Sequence, residues 1–176
     1  FEVIENAGPR PLAHLPLRGG AQILLSAIMC WKRIRHRRFL VAFRLQRLAE
    51  FLESLEKVGG YDVDLVLPAH GKPFTGMRER VDFLIEHHHK RLEEIYELVA
   101  GGHDDIVQIS QHATWRYPDW KSWPLDQKYF SMGETLAHLI YLVREGRVLQ
   151  GICGHEYYFR MPYDRKNLAL APGAAS

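Results

Sequence analysis

One histidine lies just after a strand-like run, within residues 63–71. This segment reads Val-Asp-Leu-Val-Leu-Pro-Ala-His-Gly. The branched apolar residues up to Leu67 predict a short buried strand, and Pro68 ends it because proline has no backbone donor. Gly71 allows a sharp turn directly after His70. A neutral imidazole held at the end of a rigid strand is a suitable zinc ligand. His70 is therefore a candidate metal ligand, and a turn-capping hydrogen bond is the alternative role.

Three stretches of the chain carry a more specific pattern. They read Leu-Pro-Ala-His-Gly at residues 67–71, Arg-Val-Asp-Phe-Leu-Ile-Glu-His-His-His-Lys-Arg at residues 80–91, and Gly-Glu-Thr-Leu-Ala-His-Leu-Ile-Tyr-Leu-Val-Arg-Glu-Gly-Arg-Val at residues 133–148. In this order they resemble one branch of the metallo-β-lactamase-fold hydrolases, which carries a C-terminal winged-helix-like domain and includes endoribonuclease-like members. The resemblance extends over residues 51–159, and its first stretch looks like the last metal-ligand motif of these enzymes.

The resemblance implies a dinuclear zinc hydrolase as the intact form of such a protein. Zinc there converts bound water to hydroxide, which attacks an ester, thioester or phosphodiester of a small-molecule or RNA substrate. His70 would bind the second zinc ion, and it is the only ligand that the resemblance transfers. The family's upstream His-x-His-x-Asp-His motif does not occur in this sequence, so no residue is assigned as catalytic. We therefore expect a C-terminal piece of a zinc hydrolase that is inactive by itself.

Three consecutive histidines at residues 87–89 form a second group of imidazoles. They lie in a segment with helical periodicity, Met77–Ala100, and adjacent residues of a helix point to different faces. They therefore cannot chelate one ion as an i, i+4 pair does, and we expect structural roles for them. The predicted inner stripe of this helix consists of Val81, Leu84, Ile85, His88, Leu92 and Ile95.

Residues 5–46 depart from the resemblance, which implies a Thr-Pro-Gly-His motif and later a Gly-Asp-His-Val-Leu segment there. Met29 and Trp31 have single codons, so the shifted reading frame around them is nearly forced. It reads Val-Leu-Glu after a residue that can be histidine. We hypothesise that residues 5 to about 46 are a frame-shifted translation. If Pro9 and Ile28 are genuine instead, one histidine ligand and the bridging aspartate are absent from their expected positions.

The composition is that of a globular protein. Of the 176 residues, 47% are hydrophobic and 25% are charged, and the formal net charge of +2 is too small to indicate nucleic acid by itself. Two distant cysteines, Cys30 and Cys153, indicate neither a disulfide framework nor a paired-cysteine zinc motif. No apolar run reaches the roughly 18 residues of a membrane span. We expect a cytoplasmic protein, and the first residue, Phe1, indicates a fragment.

The order of predicted elements indicates an α+β fold, and the resemblance implies that residues 1–100 are the C-terminal remnant of an αββα metallo-β-lactamase fold. A strand is expected at Phe1–Ile4. Prolines and glycines at residues 8–20 then predict irregular structure. A helix at Leu48–Val58 precedes the strand before the candidate ligand. The long helix that follows ends at Gly101–Gly102, which marks the predicted domain boundary.

Residues 101–163 are predicted to form the winged-helix-like domain. A short helix at Ile106–Ala113 is followed by a loop rich in aromatic residues, Trp115–Trp123. The alternating segment Val148–Phe159 contains glycines and predicts a β-hairpin, which would be the wing. Residues 164–176 are small and apolar, and we expect a flexible tail there.

The helix between the aromatic loop and the predicted hairpin is taken as the third helix of the winged-helix arrangement. It is the element with which a winged helix would contact nucleic acid. Ser131, with Glu134 three residues on, forms a capping box that predicts the start of this helix, which runs to Arg144. Arg144 is its one basic residue, and Arg147 and Arg160 beyond it are too few to neutralise many phosphates. Nucleic-acid binding is therefore weakly supported, and packing against the hydrolase is the preferred interpretation.

The alternative function is a non-catalytic winged-helix module that binds nucleic acid or a protein partner. The segment Lys32–Arg47 contains seven basic residues and no acidic one, which is typical of an anion-binding patch. It falls within the segment that the frame-shift hypothesis covers, where its charge would have no functional meaning. The aromatic residues of the later loop could stack on a base or substrate, but such residues more often fill a domain interface. They are Trp115, Tyr117, Trp120 and Trp123.

Overall fold

The computed structural model describes residues 2–4, 12–16, 22–26, 48–68, 71–154 and 156–162. The chain divides into two compact units, Phe1–Lys90 and Arg91–Ser176. His70, most of the segment assigned to a shifted frame, and the predicted tail lie outside the described residues. The frame-shift hypothesis and the tail therefore stay predictions.

The first unit contains a four-stranded sheet. Its strands are β1 (Glu2–Ile4), β2 (Leu12–Pro16), β3 (Gln22–Ser26) and β4 (Leu65–Pro68). They lie in the order β1-β2-β3-β4, with β3 and β4 parallel and the other two pairs antiparallel. A parallel pair requires a long connection, and the connection here contains helix α1 (Leu48–Gly59).

The first strand is confirmed, whereas the prediction of irregular structure at residues 8–20 is wrong for β2. Proline removes a backbone donor only at its own position, and Pro16 is the last residue of that strand. The residues from Leu12 to Leu15 keep their donors and pair with β3 over the register from Ser26 to Ile23. Long-range pairing of this kind overrides the local turn signal.

Helix α1 confirms the predicted helix and extends it by one residue to Gly59. Its apolar positions recur at helical spacing and are buried: Leu48, Leu52, Leu55 and Val58. Gly59 is also buried and closely approaches Val81 of the next helix, since a Cβ atom added to Gly59 would lie 3.0 Å from Val81 Cγ1. The glycine therefore permits close contact between the two helices.

Helix α2 (Met77–Ala100) has the predicted bounds. Its predicted inner stripe is buried except for Ile85, which is half-buried, and Met77 and Val99 extend it. The helix ends in a Schellman motif: Gly102 N donates to Val99 O at 3.0 Å, and His103 N donates to Leu98 O at 3.1 Å. Gly102 has a φ of +96°, which favours glycine at this position.

The second unit adds two helices, α3 (Ile106–His112) and α4 (Leu125–Arg144), with a 3₁₀ turn at Trp120–Ser122 between them. The short helix is confirmed, but the predicted start of the third helix at Ser131 is wrong. The helix begins six residues earlier, after Pro124, and Ser131 lies inside it. The Ser131 hydroxyl donates to Lys128 O at 2.7 Å and accepts from Trp120 Nε1 at 2.7 Å, so it does not cap the helix.

The predicted hairpin is confirmed as β5 (Leu149–Cys153) and β6 (Glu156–Arg160). Gly151 lies opposite Tyr158, and a Cβ atom added at Gly151 would overlap the Tyr158 ring. Phe159 is fully buried, and its amide donates to Asp104 O at 2.8 Å. This unit therefore anchors its hairpin through one strand. The assignment of these elements to a winged helix, and the domain boundary at residue 100, stay predictions.

Within the described ranges, no helix is both long enough and apolar enough to cross a membrane.

Two helical glycines should respond in opposite directions to substitution by alanine. Gly59→Ala places a methyl group against Val81, and we expect it to lower the free energy of unfolding by about 1 kcal/mol. Gly133→Ala in α4 meets nothing within 4 Å, so it should raise that free energy by about 0.5 to 1 kcal/mol through helix propensity. Urea unfolding followed by circular dichroism measures both changes. Equal shifts of the same sign would contradict the packing assigned to Gly59.

Candidate functional site

The described backbone on either side of the candidate ligand consists of the end of strand β4 and a glycine in the left-handed region. β4 ends at Pro68, which is paired in register with Ser26 of β3. Gly71 has a φ of +101°, in the left-handed region that glycine adopts at low cost. The strand end and the turn glycine are thus present on either side of His70 in sequence. Because His70 itself is outside the described residues, its role as a zinc ligand stays a prediction.

Strand β4 is held on both of its edges. On one edge it forms the parallel ladder with β3. On the other edge Val66 N donates to Phe74 O at 2.8 Å, and Phe74 N donates to Val66 O at 3.1 Å. The Val66 side chain is fully buried, whereas its neighbours Leu65 and Leu67 are half-buried. A strand fixed in this way is a rigid support for the turn that follows it.

A dinuclear zinc site needs several side chains from the set histidine, cysteine, aspartate and glutamate. In the part of the chain that the structure describes, no group of three or more such side chains could hold a metal ion. These residues alone do not fit the zinc site that the resemblance implies.

The three consecutive histidines of α2 diverge, as the helical geometry predicts. His88 is 2% exposed, and its ring meets the Phe51 ring edge-on at a centroid distance of 5.4 Å. His87 is exposed and stacks on Phe83 at 6.5 Å, and His89 is exposed. The structure therefore gives His88 a packing role between α1 and α2 within the first unit.

A buried ion pair joins three segments of the second unit. Arg91 Nη1 lies 2.6 Å from Glu94 Oε2, and Glu94 Oε1 accepts the Thr114 amide at 2.5 Å. The Arg91 guanidinium lies over the Trp115 ring at 4.6 Å. Arg91 Nε is 3.6 Å from Glu134 Oε1 and has no hydrogen-bond partner among the described residues. Glu134 is thus an ion-pair partner of Arg91.

Sequence reasoning missed this cluster. A helical period that places His88, Leu92 and Ile95 inside also places Arg91 beside them, and Glu94 three residues on is a ready partner. That signal was available. The contribution of Thr114 and Glu134 depends on tertiary structure, because both are far from Arg91 in sequence.

The basic residues near the hairpin are engaged by acidic and aromatic neighbours. Arg147 binds Glu93 with two hydrogen bonds of 2.7 and 2.8 Å and lies 4.3 Å from the centroid of the Tyr96 ring. The hydrogen bonds to Glu93 raise the pKa of Arg147 above its usual value. Arg160 lies over Tyr158 and is 3.7 Å from Asp104. Each of these two guanidinium groups thus has a carboxylate and an aromatic ring beside it.

The loop before α4 uses its indole groups to hold itself together. The Trp115 Nε1 group donates to Ser110 O at 2.6 Å, and the Trp123 Nε1 group donates to Pro118 O at 3.3 Å. Trp120 binds Ser131, as described above. Tyr117 differs, since it is 60% exposed. The tryptophans therefore act as packing residues within the second unit.

The buried and exposed arginine clusters can be separated by mutation. Arg91→Ala leaves Glu94 and Glu134 without their buried cation, and we expect the free energy of unfolding to fall by about 3 kcal/mol. Arg147→Ala breaks a pair that is largely solvated, and the expected loss is about 1 kcal/mol or less. Urea unfolding of the two variants measures the difference. An Arg147 variant that is destabilised as much as the Arg91 variant would contradict the ranking.

Comparison with protein-family models finds no match, and comparison with curated proteins finds none either. Solved structures do match. A β-lactamase domain protein from Burkholderia ambifaria has a TM-score of 0.72 and 28% identity, over 91% of this chain and 47% of that one. A metallo-β-lactamase family protein from Thermus thermophilus has a TM-score of 0.61 and 26% identity, over 92% of this chain and 52% of that one.

This chain spans about half the length of each of these two solved structures. Both likenesses extend over nearly all of it. Together these similarities support placing the chain in the metallo-β-lactamase superfamily.

Proposed function

We propose that this chain is the C-terminal part of a zinc-dependent hydrolase of the metallo-β-lactamase superfamily. The observation that carries the proposal is the likeness to the Burkholderia ambifaria protein over 91% of the chain at 28% identity. The succession of α1 and β4, followed by Gly71 with its positive φ, supports it, because this is the order expected around the last metal ligand of such hydrolases.

The part of this chain in the chemistry is to present His70. Zinc, when bound in the intact hydrolase, supplies a hydroxide near neutral pH for attack on an ester, thioester or phosphodiester. The chain supports this zinc ligand through its backbone. β3 and Phe74 fix β4 on both edges, and Gly71, directly after His70 in sequence, has a positive φ. A ligand mounted on such a strand is held with little loss of side-chain freedom on binding.

We also propose that the 176-residue chain has no hydrolase activity by itself. One histidine cannot hold two zinc ions, and the His-x-His-x-Asp-His motif is absent from the sequence. The substrate of the intact hydrolase would be a small molecule or an RNA. The C-terminal unit would then serve as an accessory winged-helix-like domain rather than as a reader of nucleic acid, because Arg147 and Arg160 are engaged by Glu93 and Asp104.

Zinc content and hydrolysis test the proposal directly. We expect the purified chain to hydrolyse neither a nitrophenyl ester nor a bis-nitrophenyl phosphodiester above the rate in buffer with added zinc. The zinc content of the His70→Ala variant should equal that of the unmodified chain. Stoichiometric zinc that is lost in this variant, together with zinc-dependent turnover, would show a working site and would contradict the inactive state.

A chimera tests the origin of the chain independently of its own activity. Residues 48–162 would replace the corresponding segment of the Burkholderia ambifaria protein, with a second chimera carrying His70→Ala as the matched control. We expect the first chimera to bind zinc more tightly than the second, because only the first completes the ligand set. A folded pair with equal zinc affinity would contradict the assignment of His70.

A further inference from the structure

Two histidines of the second unit, outside the candidate site, lie face to face. The rings of His103 and His112 have centroids 4.2 Å apart and an interplanar angle of 22°. His103 is half-buried, and His112 is exposed at the last position of α3. Imidazole is the side chain that binds divalent transition metals most often. A close pair of imidazoles at a surface is therefore a candidate metal site.

The backbone holds both histidines before any ion binds. His103 is the residue whose amide closes the Schellman motif at the end of α2. The next residue, Asp104, accepts the Phe159 amide of β6 at 2.8 Å. Asp105 then caps α3 by accepting the Gln108 amide at 2.8 Å, and this helix ends at His112. The separation of the two Cα positions is thus fixed by helix ends and by the hairpin.

The protonation pattern leaves nitrogen lone pairs for a metal. His112 Nδ1 lies 2.8 Å from Gln108 O, and a carbonyl oxygen can only accept, so Nδ1 carries the proton. The Nε2 atom of the neutral ring then has its lone pair directed away from this bond. A ring N–H bound to a backbone carbonyl is the usual outer partner of a metal-binding histidine. Among the described residues, no hydrogen bond engages the His103 ring.

We propose that His103 and His112 together bind one divalent ion of the zinc, nickel or copper class. His112 binds through Nε2 and His103 through one ring nitrogen, and water completes the coordination. The rings must tilt from their near-parallel stack so that both nitrogens approach one ion to about 2.1 Å. Exposure of His112 makes this rotation inexpensive. Magnesium and calcium are excluded because they prefer oxygen ligands.

The site differs from the candidate zinc site in residues and in consequence. In the described segments, no third histidine, cysteine, aspartate or glutamate completes it, so the ion stays open to water and exchanges readily. Bound metal would link the end of α2 to the end of α3 across the intervening turn. Since the ion binds the folded state, it should raise the stability of this unit. The proposal does not depend on hydrolase function.

Calorimetric titration of the metal-free full chain with zinc at neutral pH tests the site. The variants are His103→Gln and His112→Gln, with His89→Gln as the matched exposed control and His70→Ala to separate the candidate hydrolase ligand. We expect each of the first two changes to raise the dissociation constant for zinc by at least 10- to 100-fold. A loss of that size is typical even when only a residue that hydrogen-bonds a metal ligand is removed. The other two changes should leave the dissociation constant unchanged. No zinc binding, or equal affinity in all variants, would overturn the proposal.

Nuclear magnetic resonance of the unmodified chain gives a second test that no folding defect can affect. Nickel added below one equivalent should broaden the ring signals of His103 and His112 before those of the other histidines. Broadening that begins at residues 87–89 and spares this pair would overturn the proposal even if zinc binds to the chain.

Discussion

Two-sided backbone pairing of β4 is the constraint on which the first unit depends. Val66 exchanges both of its backbone hydrogen bonds with Phe74, while the strand as a whole is paired in parallel with β3. A strand with one unpaired edge can slide or twist, but one that is paired on both sides has a single position. The Val66 side chain is also completely buried, which anchors the strand in the apolar interior. The end of the strand at Pro68 is thereby fixed in place.

Charge neutralisation has the corresponding role in the second unit. A buried guanidinium is costly unless carboxylates surround it, and Arg91 has Glu94 and Glu134 near it and the Trp115 ring below it. The exposed Arg147 repeats this arrangement with Glu93 and Tyr96 at lower cost. In these two clusters the guanidinium groups of Arg91 and Arg147 contribute to the cohesion of the unit.

Local patterns predicted the elements whose signals are local. α2 has its predicted bounds because an apolar stripe of period 3.6 and a double glycine both mark it. The hairpin follows from alternation around glycines. The start of α4 was misplaced because Ser131 and Glu134 satisfy the capping pattern, yet the Trp120 indole and the Arg91 guanidinium, which lie outside the helix, engage them. No pattern within the helix contains those partners.

Long-range pairing explains the other differences. β2 forms despite nearby prolines because β3 offers it a continuous partner, and no local propensity reports that partner. The assignment of His70 to the second zinc ion rests on the resemblance and stays a prediction, since a strand, a proline and a histidine occur together in many proteins. By contrast, the scaffold around it followed from the apolar run and from the two backbone-restricting residues, Pro68 and Gly71.

The contact between Gly151 and Tyr158 has a consequence for how the hairpin avoids mispairing. The Tyr158 ring lies across the backbone of β5 at the one position without a side chain. If the strands slipped by one residue, Gln150 or Ile152 would present a Cβ atom to that ring, and Phe159 would turn from the interior toward water. Steric exclusion and the hydrophobic effect thus penalise the same error. Gly151 therefore helps to specify the register in which β5 and β6 pair.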